Sequence, residues 1–169
     1  MATLGVAVDL VLGDFDNPGS ISAAAYGCVG MYLVVRDSDK QVQQETQAGQ
    51  LAIKAGVTHI VKLSSNDAEL RRSYWAVAHH DMELAIAKMD VGYSFIRPNY
   101  FMEGLLGLFK VDSNRNITLE VPTGNGQIGV IDTYGIGESS AELLASGKPL
   151  NGHAMITGTR HARLSSSQS

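Results

Sequence analysis

Gly56-Val57-Thr58-His59-Ile60-Val61-Lys62-Leu63-Ser64-Ser65 starts on a glycine, runs through β-branched and apolar residues, and stops on two serines. Val57 to Leu63 reads as a strand, because such runs bounded by turn formers favour extended backbone. Just upstream, Asp37 or Ser38 would cap a helix that passes through Gln50 to Ala55 and ends at Gly56. Before that helix, Val29 to Val35 reads as a strand buried on both faces. Strand, helix and strand in this order form a βαβ unit, so a parallel sheet flanked by helices is expected.

The same alternation extends in both directions. Val6 to Leu12 is a β-leaning run closed by Gly13-Asp14, and Pro18 with Ser20 point to a helix through Ala25 that Gly27 stops. Downstream, a helix is expected from Tyr74 to Met89, with Trp75, His79, Met82 and Ile86 along one face. Gly92 to Ile96 gives a further strand before Pro98, and Phe101 to Phe109 looks helical. Ile117 to Val121 and Ile128 to Ile131 are β-like around a glycine-rich turn, Ile136 to Ala145 is helical, and His153 to Thr157 is a last short strand. No linker or internal repeat divides the chain, so one domain is expected over residues 1–161, followed by a polar tail at 162–169.

Composition narrows the function classes. The 169 residues carry 13 Lys and Arg against 17 Asp and Glu, a net charge of −4, without a basic run. Binding to phosphate backbones or anionic membranes by charge alone is therefore not expected. Cys28 is the single cysteine, and no stretch approaches the length of a membrane span, so a cytoplasmic protein is expected.

Several groupings suggest chemistry. Gly124-Asn125-Gly126-Gln127-Ile128-Gly129 has the GxGxxG spacing, but strand-like residues follow it, so it reads as a hairpin turn rather than a phosphate loop. His79-His80-Asp81 with Glu83 places imidazoles and carboxylates on one helix, yet supplies no third-ligand motif, and no metal is expected. Ser64 and Ser65 lie where α/β folds bind ligands, outside the carboxyl ends of strands. No GxSxG elbow surrounds them, and no Tyr is followed four residues later by Lys. Arg97-Pro98-Asn99-Tyr100-Phe101 joins a charge, a fixed φ, an amide and two aromatic rings directly after a strand, as a site wall would.

Taken in order, these segments resemble NmrA-like proteins, which are atypical short-chain dehydrogenase/reductases. The resemblance runs from Gly13-Asp14-Phe15-Asp16-Asn17-Pro18 through Ala48 to Ser65, His80 and Glu83, Arg97 to Met102, Pro122 to Gly126 and Ile131-Asp132 to Thr157-Gly158. It implies a Rossmann-type NAD(P)-binding fold, in which some members reduce quinones or related carbonyls and others sense the nicotinamide ratio and bind a regulatory partner. It also implies that Asp14 and Phe15 border the adenine, Val35 and Arg36 end the strand beneath the cofactor, and Ser64 and Ser65 lie near the nicotinamide. Pro98, Asn99, Tyr100 and Phe101 would form the wall beyond, with His80 and Tyr100 as candidates for proton transfer.

Family members begin with a strand, a GxxGxxG turn and a second strand, and this chain is expected to start after them. The implied architecture is an incomplete Rossmann-like parallel sheet with helices on both faces, lacking the first strand, the glycine-rich turn and the second strand. Without that turn the main source of NAD(P) affinity is missing. Two readings follow: a truncated reductase or redox sensor, or a non-catalytic interaction module built on the same fold. Either Val6 to Leu12 moves in to pair with Val29 to Val35, which is the expected arrangement, or an apolar edge is left open to self-association.

Overall fold

The computed structural model describes residues 8–119, 127–158 and 161–163. Its centre is a parallel sheet of four strands in the order β1 (Gly30–Leu33), β2 (His59–Leu63), β3 (Gly92–Pro98), β8 (Gly152–Ile156). Helices α1 (Pro18–Ala25), α2 (Gln41–Lys54), α3 (Tyr74–Ala87) and α5 (Thr133–Ser146) surround it. The α/β class and the parallel sheet are those expected from the alternation of runs.

Side-chain alternation shows that the sheet is covered on both faces. Register pairs Leu33 with Lys62 and Lys62 with Phe95, so these residues share a face. That face meets α2 and α3: Leu33, Ile60 and Phe95 join Ala48, Ala52 and Ile86 in one cluster. Gly30 and His59 point the other way, and a Cβ on Gly30 would meet Leu144 of α5. Fully burying a side chain such as Ile60 or Ile86 contributes about 1.5–3 kcal/mol, so this two-sided packing holds the strand ends in place.

Local signals explain the helix limits. Ser73 caps α3 by accepting the Ala76 N–H at 3.1 Å, and Asp132 caps α5 by accepting the Gly135 N–H at 2.6 Å. After α2 the chain reverses at Gly56, whose φ of +109° disfavours any side chain. The expected cap of α2 at Asp37 or Ser38 is not found. Lys40 occupies the cap without a side-chain bond, because Ser38 instead uses its carbonyl to accept the Gln41 N–H.

Two corrections concern the edge of the sheet. Residues 8–12 of the expected first strand are not a strand; they are exposed, with Leu10 96% accessible, and residues 6–7 lie outside the described part. α1 makes its main contacts with α2 and places Ala25 in the core cluster beside Leu33, while residues 8–13 before it pair with no strand of the sheet. Consequently β1 is an edge strand with one partner, β2, among the described residues, and Val29 and Val34 are exposed rather than buried on both faces.

The remaining elements lie beyond the carboxyl end of β3. β4 (Tyr100–Phe101) pairs in parallel with β7 (Gln127–Ile131), which pairs antiparallel with β9 (His161–Arg163). The polar tail set off at 162–169 thus has its first two residues in β9. The expected helix at 101–109 shrinks to α4 (Met102–Leu106), because the chain turns at Gly107 into a hairpin of β5 (Phe109–Val111) and β6 (Ile117–Leu119). The glycine-rich turn at 122–126 lies outside the described residues.

Candidate active site at the strand ends

A cavity of about 770 Å³ opens at the carboxyl ends of β1, β2 and β3. Three strand-end segments build it: Val34 to Asp37 after β1, Leu63 to Asp67 after β2, and Pro98 to Phe101 after β3. Trp75 and His79, one turn apart on α3, close one side. Parallel strands bring all their carboxyl ends to one rim, which is why segments distant in sequence converge here.

Two buried networks fix the floor. Arg97, 5% exposed, forks onto Glu83: its Nε donates to Oε1 at 3.0 Å and its Nη2 to Oε2 at 2.6 Å. The Ser64 hydroxyl donates to the same carboxylate at 2.6 Å, so the serine is held by a charge that α3 supplies. Burial pushes the Glu83 carboxyl up, but the hydrogen bonds from Arg97 and Ser64 outweigh it and keep the group below the ordinary range.

In the second network, Lys62 is completely buried, and its ammonium lies 2.8 Å from Glu45 Oε2. It also donates to the Leu63 carbonyl and faces His79 Nδ1 at 3.4 Å. Glu45 in turn accepts the Val35 N–H at 3.2 Å, which ties α2 to the end of β1. Burial and the adjacent Lys62 push the His79 imidazole down to about 4.

The far wall rests on Asn99. Its Oδ1 accepts from Asn66 Nδ2 at 2.9 Å, while its amide nitrogen lies so close to Gly129 that a Cβ there would overlap it. Gly104 similarly lies against the Tyr100 ring, where an added Cβ would approach to 3.2 Å. Tyr100 and Phe101 keep exposed ring area beside the cavity, as an apolar binding wall requires.

Of the residues singled out from the sequence, Val35, Arg36, Ser64, Ser65, Pro98, Asn99, Tyr100 and Phe101 all line this cavity. Three lie elsewhere. Asp14 folds its carboxylate onto the Asp16 N–H in the turn before α1, and Phe15 packs against the core cluster. His80 faces away from the lining, and its buried Nδ1 has no partner among the described residues. The i, i+4 step from Trp75 places His79 at the cavity instead, a signal present in the helical spacing. Trp75, expected along one face with His79, Met82 and Ile86, is 54% exposed, whereas Met82 and Ile86 are fully buried. Among the described residues, no group of three or more His, Cys, Asp or Glu could hold a metal, and no helix is long and apolar enough to cross a membrane.

The sequence profile of the NmrA-like family matches residues 3–161. The chain belongs to the NmrA-like family. Solved structures agree on the fold. A Citrobacter sp. triphenylmethane reductase complexed with NADP(H) is 20% identical, with a TM-score of 0.75 over 89% of this chain and 54% of its own. An NADPH-dependent quinone oxidoreductase from Escherichia coli, complexed with NADPH, is 17% identical, with a TM-score of 0.73 over 89% of this chain and 53% of its own. NmrA, a negative transcriptional regulator in complex with NAD, is 11% identical, with a TM-score of 0.72 over 89% and 52%. No curated protein sequence matches the chain.

This NmrA-like chain therefore spans about half the length of these solved structures. Its parallel order β1-β2-β3-β8 corresponds to one side of a doubly wound sheet, with β1 at the edge among the described residues. The third glycine of the GxGxxG stretch also acquires a structural role, since Gly129 seats the Asn99 amide. Gly129→Ala is expected to displace that amide and weaken any ligand bound against it about fivefold, the equivalent of one hydrogen bond. Ligand titration of the folded variant measures this.

Proposed function

We propose that this NmrA-like protein is an NAD(P)H-dependent oxidoreductase. In this reading the strand-end cavity receives the nicotinamide half of the dinucleotide together with a quinone or related carbonyl compound. The observation that carries the reading is the convergence of eight sequence-singled residues on one cavity at the carboxyl ends of parallel strands. The lining fits such an occupant. Val35, Leu63, Pro98 and the aromatic wall supply flat apolar surface, while Ser65 and Asn99 supply hydroxyl and amide groups. Arg36 is the one residue of fixed positive charge among the described lining residues, and it would meet a phosphate.

A bound reduced nicotinamide supplies a hydride, and the chemistry of transfer is the cofactor's own. The chain's residues bind and orient. Ser64, locked by Glu83, and Ser65 would hold the nicotinamide end, and Pro98 with Phe101 would confine the substrate plane. The Tyr100 hydroxyl donates the proton that the reduced carbonyl oxygen requires. The second reading, a regulatory module, is favoured by the exposed Tyr100, Phe101, Met102 and Leu106 beside the cavity, which a partner protein could cover.

Fluorescence titration with NADPH and NADH separates the two. Saturable binding that Arg36→Ala and Asn99→Ala each weaken several-fold supports the oxidoreductase. A folded, monomeric protein that binds neither nucleotide rejects it and favours the regulatory module.

A further inference from the structure

We propose that Lys62, held by Glu45, fixes His79 as a neutral imidazole with its hydrogen on Nε2, so that His79 serves as a hydrogen-bond donor to the substrate's carbonyl oxygen. The inference rests on the oxidoreductase reading and adds to it a donor on α3 and a positioning residue beneath the cavity.

A lysine ammonium has three N–H groups and no acceptor. Here three acceptors meet Nζ: the Glu45 carboxylate, the Leu63 carbonyl and His79 Nδ1. His79 Nδ1 therefore accepts, and the ring hydrogen of the neutral form must sit on Nε2. Burial raises Glu45 and lowers Lys62, which favours passing their shared proton to the carboxyl. The place of the ring hydrogen survives that transfer, and burial, the larger cause, then keeps the ring neutral. A neutral amine accepting from Glu45 still donates two hydrogens, to Leu63 and to His79.

A second proton on His79 would place an N–H against these donors. Asp37, Glu83 and Asp67 attract such a charge, but burial and Lys62 outweigh them. The ring thus stays neutral across the working range while lining the cavity. A neutral imidazole with a fixed N–H polarises a carbonyl without surrendering its own hydrogen, and the proton itself comes from Tyr100. For a simple carbonyl, hydride adds to the carbon and that proton to the oxygen, giving a hydroxyl as the nicotinamide is oxidised. For a quinone the same hydride and proton are taken up, and loss of the C–H proton with gain of one at the second oxygen completes the hydroquinone.

Ring-nitrogen NMR of histidine-labelled protein, without nucleotide, reads the state of His79 directly. The expected result is a neutral ring with hydrogen on Nε2, unchanged from pH 5 to 8. In Lys62→Met the ring should titrate nearer the ordinary histidine range and populate both tautomers, whereas Lys62→Arg, also donor-only, should restore the wild-type state. Should Lys62→Met fail to fold, the wild-type spectrum alone decides. A charged ring at neutral pH, or hydrogen on Nδ1, overturns the inference.

The activity arm uses NADPH with a soluble naphthoquinone. His79→Phe is expected to lower kcat about 100-fold or more while the KM for NADPH stays within twofold. An unchanged kcat overturns the donor role. If folded wild-type protein binds no NADPH, the oxidoreductase reading fails and the donor role fails with it, while the spectrum still settles the ring's state.

Discussion

Replacing Arg97 with methionine is expected to lower the unfolding free energy by about 3–5 kcal/mol, measured from chemical denaturation midpoints. The guanidinium is buried and makes a two-pronged contact with Glu83, so its loss leaves a buried carboxylate with the Ser64 hydroxyl as its remaining partner within that network. The third contact, from Nη1 to Glu69 at 3.1 Å, ends on a largely exposed side chain and adds little. Removing both charges is a different perturbation, because the desolvation of each is then relieved. The double variant Arg97→Met with Glu83→Leu should therefore recover most of the loss. If the single variant costs under about 1 kcal/mol, the network does not hold the strand ends as described.

The second large effect appears in the pH dependence of stability. Burial, with Lys62 adding to it, lowers the folded His79 to about 4. In the unfolded chain the ring takes a proton near its ordinary value of about 6.5. Between these values the unfolded state binds more protons, so stability falls as the pH drops from 6.5 towards 4 and is unaffected by this group above that window. The full contribution is about 3 kcal/mol. Denaturation of wild type and His79→Gln at matched pH isolates it from the carboxylates. The difference between the two proteins should shrink steadily over that window. A constant difference would mean that His79 titrates alike in both states.

The sequence reveals the sheet and most of the site for one reason. Ser64, Ser65 and Pro98 to Phe101 follow runs such as Ile60-Val61 and Phe95-Ile96, whose burial leaves little freedom in strand limits, and parallel strands put every such ending on one rim. Residues on helices are harder to place. His79 and His80 are adjacent letters, and only the rotation of α3 against the sheet puts the first at the cavity and turns the second away. Lys62 looks like a break in an apolar strand until Glu45, 17 positions upstream, is seen to meet it. The segment at residues 8–13 has strand-forming residues but no edge brought to it, since strand formation depends on a partner more than on propensity. Gly129 reads from its spacing as part of a hairpin turn, and its contact with Asn99, 30 positions upstream, is visible only once the strands are assembled.

The central claim is that nicotinamide binds at the carboxyl ends of β1, β2 and β3. Backbone amide NMR during titration with NADPH tests it most directly, because it reports both folding and location. The account predicts saturable shifts concentrated at residues 34–37, 63–67 and 98–101. A well-dispersed spectrum that stays unchanged, or shifts confined to other parts of the chain, would contradict it.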